Sequence, residues 1–202
     1  MDLMARYKAL KNKVSKRKKP FDEFISFLER ETSWLTSPAS TKFHLSEKKG
    51  LLKHSVGVAE NLLKFREALA AEISEESCTI VGLFHDVGKI GMPGKPLYLP
   101  NDNEWEIKKR GIKYKINPEV VSMGLAMRSL YLVTKYIPLS DSEAQAIAYH
   151  DGQYVDDNKI IAHKEEPLTL LVHLADYWTA HIYEEGRELK DDDKYYDREM
   201  EI

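Results

Sequence analysis

The sequence predicts an all-α fold, because apolar residues recur at helical spacing along most of its length and glycine is sparse, ten in 202 residues. Phe21, Phe24, Ile25 and Leu28 share one face of a first amphipathic stretch, and Leu52, Val56, Ala59 and Leu63 share that of a second. Ser77–Phe84 reads as a short apolar helix, stopped by the turn around Gly88 and Gly91. Gly91–Pro118, punctuated by Pro93, Gly94, Pro96 and Pro100, reads as a loop. That loop is too long for a mere connection and is expected to cover something. Helix resumes over Glu119–Tyr136 and again, after an N-cap at Ser140 or Asp141, over Ala144–Tyr149. Asp151-Gly152 ends that helix. A polar loop with Asp156, Asp157 and Asn158 follows, and Pro167 opens a last long helix, Leu168–Tyr183.

Bulk properties narrow the class. At 43% apolar and 31% charged the composition is that of a globular protein, and 202 residues are enough for one domain with a sizeable core. Thirty Lys plus Arg against 33 Asp plus Glu leave a net charge of −3, which excludes a globally basic nucleic-acid binder. A single cysteine, Cys78, excludes an internal disulfide and a multi-cysteine zinc site. With no run of about eighteen apolar residues and no signal-peptide core at the N-terminus, a cytoplasmic protein without a membrane partner is expected. Locally the charge is uneven. Residues 1–20 hold eight bases against one acid, and residues 184–202 hold nine acids against four bases. A solvated basic helix and a frayed acidic tail are the plain expectation; the alternative is that the basic arm meets phosphate.

Four polar residues fall where helices should bury apolar surface: His54 in LLKHSVGVAENLL, His85 and Asp86 closing TIVGLF, and Asp176 in PLTLLVHLADYW. A carboxylate amid such hydrophobicity needs a cation or strong donors. One divalent metal bound by two imidazoles and two carboxylates satisfies all four groups at once. A His-Asp dipeptide alone carries little, since the chain has two, His85-Asp86 and His150-Asp151. The first differs by its setting: HDVGK after an apolar helix, with His54 upstream and Asp176 downstream.

This ordered set, His54, then His85-Asp86 with Gly88 and Lys89, then Asp176, resembles the HD superfamily of metal-dependent phosphohydrolases over residues 44 to about 183. SPASTKFHLSEKKGLLKHS also resembles the segment that leads to the first ligand in that family. The resemblance implies a single helical domain (44–183) holding one metal on His54, His85, Asp86 and Asp176; beside it a helical, basic extension that packs on the domain (1–43) and an acidic tail (184–202) are expected. Mn²⁺, Co²⁺, Ni²⁺, Fe²⁺, Zn²⁺ and Mg²⁺ all suit such ligands. Asp86 would ligate the metal and position the attacking water, and Lys89, one turn on, would reach a phosphate oxygen.

Two-metal members use two further histidines. Only His150 falls in a suitable place here, and the missing partner would lie near Leu125, so a single metal is expected. His150 would then contact phosphate or protonate a leaving oxygen. Arg128 is a candidate phosphate fork, His44 a candidate pocket residue, and His173 a support for Asp176. His163 and His181 read as bystanders. Tyr98, Trp105 and Tyr114 in the long loop either stack a base or pin the loop by packing. The reading is a metal-dependent phosphohydrolase of nucleotides, best fitting a 5′-nucleotidase of (deoxy)nucleoside monophosphates. A 3′-5′ exonuclease guided by the basic arm, a dNTP triphosphohydrolase and a non-catalytic nucleotide-binding module are the alternatives. The expected partner is a small nucleotide, with a homodimer open.

Overall fold

The computed structural model describes residues 2–184, so the acidic stretch expected from 184 onward lies, apart from Glu184, outside the described residues. The chain is mostly helical, as expected. Among the described residues eight α-helices follow in order: α1 (Leu3–Lys11), α2 (Lys18–Glu31), α3 (Gly50–Leu69), α4 (Glu75–Phe84), α5 (Glu104–Arg110), α6 (Leu125–Thr134), α7 (Asp141–Tyr149) and α8 (Pro167–Trp178). A 3₁₀ turn, Val87–Ile90, follows α4, and a π-helical turn, Thr179–Tyr183, extends α8. Among the described residues no helix is long and apolar enough to cross a membrane.

α3 is the spine, packed along α4 and α8. Its contact with α4 is close because position 82 is glycine: a Cβ there would lie 2.6 Å from the Cα of Ala59. The caps obey local chemistry. Ser74 accepts from the Ser77 amide at the start of α4, Ser140 and Glu143 form a reciprocal capping box at α7, and Pro167 occupies the first turn of α8.

The basic N-terminal extension is part of the core rather than a solvated appendage. Tyr7, Phe21, Phe24 and Leu28 are fully buried with Trp34, whose indole N–H donates to the Tyr7 hydroxyl at 3.0 Å, and Phe24 meets Phe84 of α4 edge-on at 4.9 Å. Half of its bases meet carboxylates of the fold. Arg6 pairs with Glu60, Lys11 with Glu29 and Lys13 with Glu75. Arg17 bridges two buried carboxylates, donating to Glu76 Oε1 at 2.8 Å and to both oxygens of Glu143 at 2.7 and 2.6 Å.

Two boundaries differ from expectation. Gly91–Pro118 is not a plain loop: β1 (Gly91–Met92) pairs with β2 (Lys95–Pro96), β3 (Tyr98–Pro100) pairs with β4 (Tyr114–Ile116), and α5 stands between β3 and β4. Strands of two and three residues are too short to show an alternation, and α5 buries no residue, so neither element carries an apolar signature. The helix expected over Glu119–Tyr136 begins only at Leu125. Asn117 caps the Glu119 amide instead, and Arg128 takes the carbonyls of Val121 and Met123. That stretch is therefore held as a turn.

Candidate metal centre

His54 projects from the first half of α3, His85 caps the C-terminal end of α4, Asp86 begins the turn after it, and Asp176 lies near the end of α8. The packing of α3 on α4 and α8 brings them together. His54 Nε2 lies 3.0 Å from Asp176 Oδ1 and 3.6 Å from Asp86 Oδ2, and His85 Nε2 lies 3.9 and 3.7 Å from the same two oxygens. Ligand atoms about 2.0–2.2 Å from a shared metal stand roughly 3.0–3.6 Å apart, so these spacings need little adjustment. Both histidines are essentially inaccessible to solvent, and neither Nε2 has a hydrogen-bond partner. Buried nitrogens without partners are costly unless something else binds them, and a divalent cation is what this donor set suits.

The other ring nitrogens are held. His85 Nδ1–H donates to the Gly82 carbonyl at 2.9 Å, which commits Nε2 as the acceptor. His54 Nδ1 donates to Glu184 Oε1 at 2.8 Å, and that carboxylate is 2% exposed. Gly88 lets the turn after Asp86 approach α6: a Cβ there would lie 2.4 Å from the Leu125 carbonyl, and its amide donates to Ser129 Oγ at 2.8 Å.

Electrostatics follow from burial and crowded charge. Burial pushes His85 down to about 4, leaving a neutral imidazole suited to ligation. Burial also opposes the charge of His54, but the carboxylates of Asp176 and Glu184 beside its ring prevail and lift it to about 10. His150 rises to about 9: burial again opposes, and its interaction with Asp86 outweighs it. Burial disfavours the ionised forms of Asp86 and Asp176, yet Lys89 and His150 hold the first, and His54 the second, well below the usual carboxylate range. Two protonated imidazoles and Lys89 thus balance a buried acidic cluster. A divalent cation on the ligand atoms would supply that positive charge and release the proton of His54 Nε2.

Lys89 sits at the cluster, with Nζ 2.5 Å from Asp86 Oδ2; burial lowers its pKa but Asp86 more than restores it, to above the usual lysine value. His150 is 1% exposed, its ring 4.8 Å from that of His85 and its Nε2 3.6 Å from both Asp86 Oδ1 and Asp151 Oδ1. The backbone sets its ring: Nδ1–H donates to the Ile147 carbonyl at 2.9 Å. His85, Asp86 and His150 form one group of donors that could hold an ion, and His150, Asp151 and Asp176 form another. His44 lines the cleft above the cluster, 5.4 Å ring to ring from His54, and burial together with His54 lowers its pKa. His173 Nδ1 donates to the His150 carbonyl, so it braces His150 rather than Asp176.

Arg128 is placed differently from the phosphate fork expected of it. It is 3% exposed, donates to the carbonyls of Gly88, Val121 and Met123, and does not line the cleft; its guanidinium braces the turn after Asp86 against α6. Of the loop aromatics, Trp105 is 61% exposed on α5, while Tyr98 is half-buried and lies within electrostatic reach of Lys89. His181 lines the cleft, with its ring 4.3 Å from that of Tyr177. Sequence reasoning missed Asp151 and Glu184. The first was visible as half of a second His-Asp pair; the second lay within a run of surface-type acids that gave no signal.

The cleft measures about 240 Å³, with His54, Asp86 and Asp176 at its floor and Lys89, Asp151 and His44 on its walls. A family model described as HD domain matches residues 51–180. Comparison with curated proteins and with solved structures gives no match.

Proposed function

This chain belongs to the HD-domain family, whose members are metal-dependent phosphohydrolases, and on that premise we propose that it hydrolyses the phosphoester of a small nucleotide. The best-fitting reaction is release of the 5′-phosphate of a (deoxy)nucleoside monophosphate. The observation that carries the reading is the donor cluster at the floor of a small cleft with an ammonium group beside it. His54, His85, Asp86 and Asp176 would hold one divalent cation. Bound there, the cation supplies Lewis-acid activation of water and neutralises charge at the phosphoryl group.

The chain's own groups account for the rest. Lys89, tethered by Asp86, presents a compact positive charge into the cleft, where it can pair with a non-bridging phosphate oxygen. His150 is 1% exposed and does not line the cleft; with Nε2 3.6 Å from Asp86 Oδ1 it orients that carboxylate rather than meeting phosphate or the leaving group as expected. His44 closes the cleft on the side of His54.

A small substrate is favoured over a polymer on two grounds. A cleft of 240 Å³ is smaller than the about 300–1,000 Å³ of ordinary ligand pockets. The basic arm that would guide a strand also has Arg6, Lys11, Lys13 and Arg17 engaged by carboxylates of the fold.

The test is elemental analysis of the purified chain together with a phosphate-release screen over nucleoside mono-, di- and triphosphates with Mn²⁺, Co²⁺ or Mg²⁺. Orthophosphate from monophosphates is expected. Tripolyphosphate from dNTPs, or turnover of oligonucleotides alone, would replace the nucleotidase reading. Bound metal with no phosphoester turned over would overturn catalysis altogether.

A further inference from the structure

A second cavity of about 270 Å³ adjoins the metal cleft and shares Tyr154 and His173 with it. One stretch of chain runs along both: Asp151 lines the metal cleft, and Gly152 and Gln153, the next two residues, line the second cavity. The backbone of Gly152 lies close against the ring of His173, a lining residue of both cavities: position 152 is in the left-handed region (φ +63°), and a Cβ there would lie 2.5 Å from that ring. His173 is fixed in turn by its hydrogen bond to the His150 carbonyl at 2.8 Å.

The walls differ in chemistry from the metal cleft. Tyr149, Ile161 and Leu170 supply apolar surface, and Tyr154 supplies an aromatic ring that lies parallel to Tyr177, within 5° at 6.1 Å. At the polar edge Gln153 Nε2 donates to Glu165 Oε1 at 3.0 Å, which leaves the Gln153 carbonyl and the second Glu165 oxygen as acceptors. Among the described residues lining this cavity there is no Lys or Arg. Such a cavity rejects phosphate and suits a neutral planar ring with N–H donors on one edge.

We infer that this cavity is the subsite for the nucleobase of a substrate whose phosphate lies in the adjoining metal cleft. The assignment rests on the phosphohydrolase reading for the phosphate end only; the base end stands on the cavity itself. Without a cation, the subsite offers no partner to the next phosphate of a nucleic-acid strand.

The test uses the metal-loaded full chain. Binding of the free nucleosides adenosine, guanosine, cytidine and thymidine is measured by titration calorimetry for the native chain and for Leu170→Arg. Leu170 is 54% exposed at the rim, so the longer side chain can be accommodated. A second variant, Gln153→Leu, removes an edge group at an exposed position. The ratio of kcat/KM for a nucleoside monophosphate to that for ribose 5-phosphate is measured alongside. At least one nucleoside is expected to bind. Leu170→Arg should weaken it and lower the kcat/KM ratio by at least tenfold, and Gln153→Leu should change the order of base preference. No nucleoside binding, or binding and ratio unmoved by both variants, overturns the assignment. Nucleoside binding lost in Leu170→Arg, with no phosphoester turned over by the native chain, retains the subsite and refutes the hydrolase reading.

Discussion

Removing the Arg17 guanidinium should cost more stability than any other single change to a charged residue of the N-terminal helices. Arg17 lies just before α2 and ties it to α4 and α7 through Glu76 and Glu143, whose side chains are 8% and 2% exposed. Arg17→Ala leaves both carboxylates buried without their cation, a change that costs about 3–5 kcal/mol in comparable cases. Each keeps backbone donors: Glu76 accepts from the amides of Ser15 and Lys16 at 2.8 and 2.7 Å, and Glu143 from that of Ser140 at 2.8 Å. The lower end, about 3 kcal/mol, is therefore expected, which for a chain of this length lowers Tm by roughly 6–12 °C. The pH dependence has a definite sign. Burial raises the pKa of each carboxyl, but Arg17 and the backbone donors outweigh it and hold both below the ordinary value of 4.5. Groups depressed in the folded state contribute stability above their unfolded pKa and lose it as pH falls through the folded one. The Tm gap between native chain and variant should be full at pH 7 and close below about pH 4.5. Calorimetric scans at pH 7, 5 and 4 measure it. A gap under 2 °C at pH 7, or one that does not narrow in acid, would refute the reasoning.

Other residues yield equally specific outcomes. Glu184→Ala strips His54 of its buried acceptor and should weaken Mn²⁺ binding by about 10–100-fold, with Glu184→Gln, which keeps an acceptor oxygen, less affected; an unchanged Kd by calorimetry would refute a positioning role. Gly88→Ala drives a Cβ against the Leu125 carbonyl, backbone that cannot rotate away, and should cost about 1–3 kcal/mol, read as a lowered Tm. Lys89→Met should lower kcat/KM on a phosphoester by about 10²–10³-fold while the metal content by elemental analysis stays the same, and a loss under threefold would exclude Lys89 from the reaction.

The helical class and the donors His54, His85, Asp86 and Asp176 were legible in the sequence, because a charged or polar residue amid an apolar helical stripe is anomalous wherever the chain is read. Lys89 was legible through its spacing from Asp86, one turn along the same local structure. The short strands within 91–116 and the late start of α6 were not, since hairpins of two or three residues and a turn held by the Arg128 side chain leave no periodicity behind.

What the sequence determined by itself was thus the chemistry available: two imidazoles and two carboxylates out of place in hydrophobic helices, with a lysine beside them. Tertiary structure alone decided what surrounds them. It placed His150 of the α7 end against Asp86, with Asp151 on the same imidazole, seated Glu184 behind His54, turned Arg128 onto carbonyls, and neutralised Arg17 between α4 and α7. The physical reason is range. Periodicity and propensity act over a few residues, whereas these contacts join residues 40 to 130 positions apart, and only the packing of α3, α4, α6, α7 and α8 makes them neighbours.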